Sequence, residues 1–215
     1  MRSAVSRVFP ARFADCTLDN YAPGTLSQAE ALAQARRLAD GEITSLVLVG
    51  PPGVGKSHLA AAVVHSIRAD LESEYVVARE AASDRMGRGE QGVRWPHIPS
   101  DPIWENVADL IVALRMEMDR PHEDRDASAA IIRASRHPAL VVLDDLGREK
   151  ASDWTGEIIY SLVNGRYENR LPTLATSNLA PSELAASPYW PVISRLAEDG
   201  QLVKITGADH RMRKP

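Results

Sequence analysis

Eight consecutive residues, Gly50-Pro51-Pro52-Gly53-Val54-Gly55-Lys56-Ser57, combine three glycines with a lysine and a hydroxyl. The spacing G-x-x-x-x-G-K-[ST] suits a loop whose backbone N–H groups curl around phosphate, because glycine puts no Cβ in the way. Lys56 can neutralise the β- and γ-phosphates of a nucleotide, and the Ser57 hydroxyl can ligate Mg²⁺. His58 follows directly and belongs to the same candidate binding set. The competing explanation is a Gly/Pro turn that happens to carry a lysine. It leaves unexplained the apolar run before the loop and the helical pattern after it.

A second group lies in "ALVVLDDLGREK", residues 139–150, where an apolar run ends in Asp144 and Asp145. Asp144 can hold Mg²⁺ through water, opposite Ser57, while Asp145 can orient or deprotonate an attacking water. Alternatively, the pair caps the following turn. Glutamate is the more usual second acid in an ATPase. The shorter aspartate therefore leaves two readings open, a hydrolysing enzyme and a switch that only binds nucleotide. Asn178 ends the run "PTLATSN". If the phosphate-loop strand lies between the third and fourth strands, the Asn178 amide emerges near the γ-phosphate, where it can hold water. The simpler role for it is a helix cap ahead of Pro181.

These groups need strands and helices to position them. Apolar runs predict strands at 45–50, 75–78, 139–145, 172–178 and 202–206. Helical periodicity predicts 27–41, with a Ser27–Glu30 capping box and a Gly41 stop, and a helix from Lys56 onward. Further helices are expected from Asp101-Pro102 to about 118, at 127–136, 153–169, 181–186 and 190–198, with a polar connection at 119–126. Residues 1–26 are expected to be a linker and 27–215 one ATPase domain, with a Gly-, Pro- and Arg-rich loop insertion at 81–101. Strands alternating with helices make this an α/β chain with a five-stranded parallel sheet, whose ligands sit beyond the strand carboxyl ends.

Composition narrows the class. At 215 residues the chain can bury a core without staples, and one cysteine, Cys16, excludes an internal disulfide framework. A net charge of −4 argues against a general polyanion binder, although 25 Lys plus Arg leave room for a local basic patch. The start lacks the apolar segment of a signal peptide, and no apolar run approaches the roughly 20 residues needed to span a bilayer. A cytoplasmic, non-membrane protein is expected.

The segments "CTLDNYAPG", "GPPGVGKSHLA", "LVVLDDLG", "WTGEIIYSLVNGRYENRLPTLATSNL", "ISRLAEDG" and "ITGADHR" together resemble the DnaC/IstB-type AAA+ ATPases, from about Arg12 to Arg213. That family includes bacterial and phage helicase loaders and transposition helper ATPases. The resemblance implies a P-loop fold of AAA+ type, with a helical lid that is minimal or absent. It makes residues 50–57 the Walker A loop, Asp144 and Asp145 Walker B, and Asn178 the first sensor. Arg195 falls at the arginine-finger position, acting on a neighbouring subunit's nucleotide, and Arg211 falls where a second sensor is expected. Alternatively, Arg195 pairs with Glu198 at i+3 and Arg211 has no such role.

The resemblance further implies ATP/ADP and Mg²⁺ as ligands, slow hydrolysis stimulated by assembly or DNA, and a homo-oligomer when ATP is bound. It implies single-stranded DNA and a replicative helicase as partners. The alternatives are a transposition helper serving a transposase on double-stranded DNA, and a nucleotide-gated binding module with little turnover. A small-molecule P-loop kinase would leave Asn178 and Arg195 without roles. Such loaders usually carry an N-terminal partner-binding domain, and only about 11 residues precede the similarity here. Arg85, Arg88, Arg94, Trp95 and Trp104 are candidates for holding a single strand, if they do not form an ordinary surface loop packing back on the domain.

Overall fold

The computed structural model describes residues 9–97, 100–117, 126–137, 139–149 and 151–212. Helix α1 (Leu26–Ala39) leads to β1 (Ser45–Val49), which feeds helix α2 (Lys56–Gly87). Strand β2 (Ile103–Asn106) and helices α3 (Val107–Glu117) and α4 (Asp126–Arg136) precede β3 (Val141–Leu146). Helix α5 (Asp153–Glu168), β4 (Thr173–Ser177), α6 (Pro181–Ala185), α7 (Trp190–Glu198) and β5 (Gly200–Lys204) complete the order. The strands form one parallel sheet, β2-β3-β4-β1-β5.

Strand β1 explains the layers. Leu46 and Leu48 face the core under α1 and α2, while Val47 and Val49 face the core under α3, α5 and α7. Period-two alternation across a sheet covered on both sides makes the strand read as an unbroken apolar run. The polar ends of the same strands therefore gather at one edge.

Three expectations change. Residues 75–78 are not a strand: α2 runs unbroken for 32 residues, about 48 Å at 1.5 Å per residue. No Gly or Pro interrupts the sequence between Lys56 and Gly87, so local i→i−4 bonding continues past the sheet and leaves Val76 and Val77 exposed. The helix also takes in residues 81–87 of the expected loop. The second strand is instead Ile103–Asn106, after Pro102, which fits the first position of a strand. Trp104 is buried there against Phe9 and Phe13, and α3 begins only after Asn106, whose Oδ1 accepts from Asp109 N at 3.2 Å. Finally, α1 is capped by Thr25, which accepts from Gln28 N at 3.2 Å, and not by Ser27. Ser27 Oγ is taken by Thr206, as its hydroxyl partner and as acceptor from its N–H, both at 2.9 Å.

The expected linker packs into the fold, with Leu18 and Tyr21 buried. The polar connection at 119–126 lies almost wholly outside the described residues. Arg166, the first arginine in "NGRYENR", is fully buried. Its guanidinium donates to Thr173 Oγ1 and to the carbonyls of Ala134, His137, Ala139 and Pro172, at 2.6–2.9 Å. Burial pulls its pKa down to about 10, so it stays charged and ties α4 to the starts of β3 and β4.

Candidate functional site: a phosphate loop at three strand ends

The loop after β1 opens a cavity of about 580 Å³, within the usual range for a small-molecule site. Gly53 and Gly55 have φ of +78° and +101°. A Cβ at Gly53 would sit 1.7 Å from Asp209 Oδ1, and one at Gly55 would sit 2.7 Å from the Tyr21 ring. Glycine is thus required twice, by backbone conformation and by close approach. Helix α2 starts at Lys56, and its first-turn N–H groups have no partner within the helix.

Lys56 is buried, and its Nζ donates to Gly50 O (2.7 Å), Pro51 O (2.8 Å) and Asn178 Oδ1 (2.8 Å). Burial lowers its pKa to about 8, opposed by Asp145 and Asp144 and assisted by Arg211. The ammonium therefore persists at neutral pH. Asp144 is also buried, and its Oδ1 accepts from Thr176 Oγ1 (2.7 Å) and Ser57 Oγ (3.1 Å). Burial raises its pKa, and the Thr176 and Ser57 bonds oppose the rise.

Between Leu143 and Leu146 the β3/β4 register slips, and Asp145 adopts φ +60°, a left-handed conformation rare outside glycine. The bulge turns Asp145 into the cavity. Its N–H donates to Thr176 Oγ1 at 3.0 Å, and its carboxylate accepts from Asn178 Nδ2 at 3.1 Å. Strand β4, which carries Thr176 and leads into Asn178, lies between β3 and β1. The phosphate-loop strand does not lie between the third and fourth strands, as the sequence reading supposed. The outcome for Asn178 is the same, because β4 still ends beside both.

The N-terminal segment closes one wall. Tyr21 OH donates to Val54 O at 3.3 Å, and His58 Nε2 lies 3.1 Å from Asn20 Oδ1 with its ring edge-on to Tyr21. His58 lines the cavity, with its pKa lowered by burial. Pro51 and Pro52 are exposed on the outer side of the loop. Arg211 is exposed and lines the cavity, placed by His210 N donating to Gly53 O at 3.0 Å.

Arg195 is not part of this cavity. Its Nε donates to Asn164 Oδ1 at 2.8 Å, its Nη2 to Tyr160 OH, and its guanidinium lies 4.4 Å over the Tyr160 ring. Arg85 and Arg88 both bind Glu90, at 2.7 and 3.2 Å, and Trp104 is buried, which leaves Trp95 as the exposed aromatic of that candidate surface. The sequence reading missed Thr176 and Tyr21. Thr176 is the threonine of "TSN" and Tyr21 the tyrosine of "DNYAPG", so the motifs contained both without showing what they touch.

No family model matches the chain. The replicative helicase loader DnaC of Escherichia coli (strain K12) is 25% identical over 170 residues, 77% of this chain. The chain spans only 57% of the length of that relative. A protein of Mycobacterium tuberculosis (strain ATCC 25618 / H37Rv), Rv3427c, described by its name as ATP-binding and in an insertion sequence, is 26% identical over 205 residues. That match covers 93% of this chain and 67% of the relative. Among solved structures, a crystal structure of the DnaC helicase loader superposes with a TM-score of 0.65 at 27% identity, covering 91% of this chain and 99% of that one.

Proposed function

Because the chain is homologous to the DnaC helicase loader and has the AAA+ P-loop fold, we propose that it is a replication-related AAA+ ATPase that acts as a helicase loader. The observation that carries this is the convergence of three strand ends on one cavity. The β1 loop brings Lys56 and Ser57, β3 brings Asp144 and Asp145, and β4 brings Thr176 and Asn178.

ATP is the substrate. Its phosphates lie against the N–H groups of the loop and of the first turn of α2, where Lys56 exchanges its carbonyl partners for phosphate oxygens. Ser57 would hold Mg²⁺ directly and Asp144, 3.1 Å from it, through water. One direct protein oxygen beside phosphate and water would suit an ion that keeps much of its hydration. When bound, the ion neutralises charge on the phosphates. Thr176 fixes the Asp144 carboxylate for this and steadies the Asp145 backbone. Asn178 and Asp145 share a hydrogen bond where an attacking water would sit, the amide orienting it and the carboxylate accepting its proton.

Arg195 acts in trans, on the ATP of a neighbouring copy. Its absence from its own subunit's cavity and its seat on α5 support that assignment. Arg211 reaches the nucleotide in cis from the 3-10 turn His210–Met212. The chain then works as an ATP-dependent oligomer on single-stranded DNA and a replicative helicase. A second reading, a transposition helper on double-stranded DNA, is favoured by the match to the insertion-sequence protein over 93% of the chain.

The deciding experiment measures ATP turnover while the protein is titrated with a hexameric replicative helicase and single-stranded DNA, or with a transposase and duplex DNA. Stimulation and co-elution with the helicase support the loader. Response to the transposase alone replaces it with the helper. Failure of the wild type to bind ATP overturns both.

A further inference from the structure

Both carboxylate oxygens of Asp145 are engaged. Asn178 Nδ2 donates to Oδ1 at 3.1 Å, and Arg148 Nη1 donates to Oδ2 at 3.2 Å. Arg148 is held on that side by a tight turn, in which its N–H donates to Asp145 O at 3.2 Å and Gly147 takes φ +84°. The Asp145 side chain is only 19% exposed, whereas that of Arg148 is 67% exposed.

The two donors differ in what removes them. Asn178 also accepts from Lys56 Nζ, and an arriving polyphosphate draws that ammonium away and frees the amide to turn toward water. Nothing in this exchange replaces the guanidinium on Oδ2. With Asn178 on Oδ1 and Arg148 on Oδ2, each oxygen already has a donor, and the guanidinium competes with water for the place from which the carboxylate would orient it.

We propose that Arg148 is a positioning residue that holds Asp145 out of its proton-accepting role in the isolated, ATP-bound subunit. Hydrolysis accelerates when the guanidinium is drawn off. The inference rests on the reading of Asp145 as the base in ATP hydrolysis. An exposed ion pair is weak enough to open within a catalytic cycle, so the restraint is worth about two- to fivefold in rate.

The test compares wild type, Arg148→Gln and Arg148→Lys as isolated subunits, with Lys56→Ala as the blank. Turnover at saturating ATP, KM and ATP affinity are measured at low and high salt. Arg148→Gln is expected to raise kcat about two- to fivefold with ATP affinity unchanged, and Arg148→Lys to stay near wild type. The ratio of the glutamine variant to wild type should fall toward one at about 1 M salt, where screening extends to roughly 3 Å. An unchanged kcat in Arg148→Gln overturns the restraint and leaves the ATPase reading standing. A lowered kcat also overturns it and makes Arg148 a cation that assists the phosphate. Turnover indistinguishable from the Lys56→Ala blank in both wild type and Arg148→Gln, at high protein concentration and with single-stranded DNA and helicase added as well as in isolated subunits, overturns the ATPase reading itself.

Discussion

Lys56 Nζ and Asn178 Oδ1 are 2.8 Å apart, although 122 positions separate them in the chain. The bond joins the phosphate loop to the end of β4 and makes the lysine part of a network that the proposed nucleotide would rearrange. Replacing Lys56 with alanine removes a charge-assisted donor from the phosphates, worth roughly 1.5–3 kcal/mol per bond. ATP affinity is expected to fall at least about tenfold, measured by calorimetric titration. Wild-type affinity in this variant would remove the loop from the binding site.

The same lysine sets a pH dependence. Its folded-state pKa, about 8, lies below the ordinary lysine value because burial disfavours the charged form. Between about 8 and the unfolded value the unfolded chain binds more protons, so this group favours folding increasingly as pH rises through that window. Phosphate binding needs the ammonium and runs the other way. ATP affinity should therefore decline above about pH 8, and Lys56→Arg, which stays charged, should flatten the decline. Titrations from pH 7 to 9.5 check both.

Thr176→Val removes one hydroxyl that serves two chain neighbours, Asp144 and Asp145. Losing the bond to a buried carboxylate is expected to destabilise the protein by about 1–3 kcal/mol. Because that bond holds the Asp144 pKa down, its loss moves the pKa further up. Magnesium-dependent ATP binding should then weaken more at pH 6 than at pH 8. Denaturant melts and magnesium titrations at the two pH values separate the effects.

Arg195→Ala should leave ATP affinity unchanged, since the residue does not line its own subunit's cavity. Wild-type turnover per subunit should rise with protein concentration, and the variant should lose that rise. Equal, concentration-independent rates in the two would exclude a finger supplied in trans.

Arg166→Leu leaves four carbonyls, one buried and three partly buried, and Thr173 without their shared donor. We expect a loss of about 3–5 kcal/mol, read as a lowered melting temperature. Arg166→Lys should recover little, because one ammonium cannot reproduce a fork of five donors.

Much of the site was legible because its signals are local. The phosphate loop, the two aspartates and Asn178 each stand at the end of an apolar run, and burial on both sheet faces produces such runs whatever the neighbours. The second strand was not legible. Val76 and Val77 favour strands, but the helix continued through them, and the short "IWEN" strand is specified by pairing with β3 and by Trp104 packing on Phe9 and Phe13. Those contacts are distant in sequence and leave no periodic trace.

The sequence alone determined the candidate groups: a phosphate loop, paired carboxylates and an amide, each with its strand, in an order that also resembles the DnaC/IstB-type ATPases. Only the tertiary structure decided the partnerships. Parallel order β3-β4-β1 sets Thr176 between the two aspartates and Lys56 against Asn178, and the bulge at Asp145 brings its carboxylate between Asn178 and Arg148. Strand order and register follow from which faces can be buried together, a property of the whole chain.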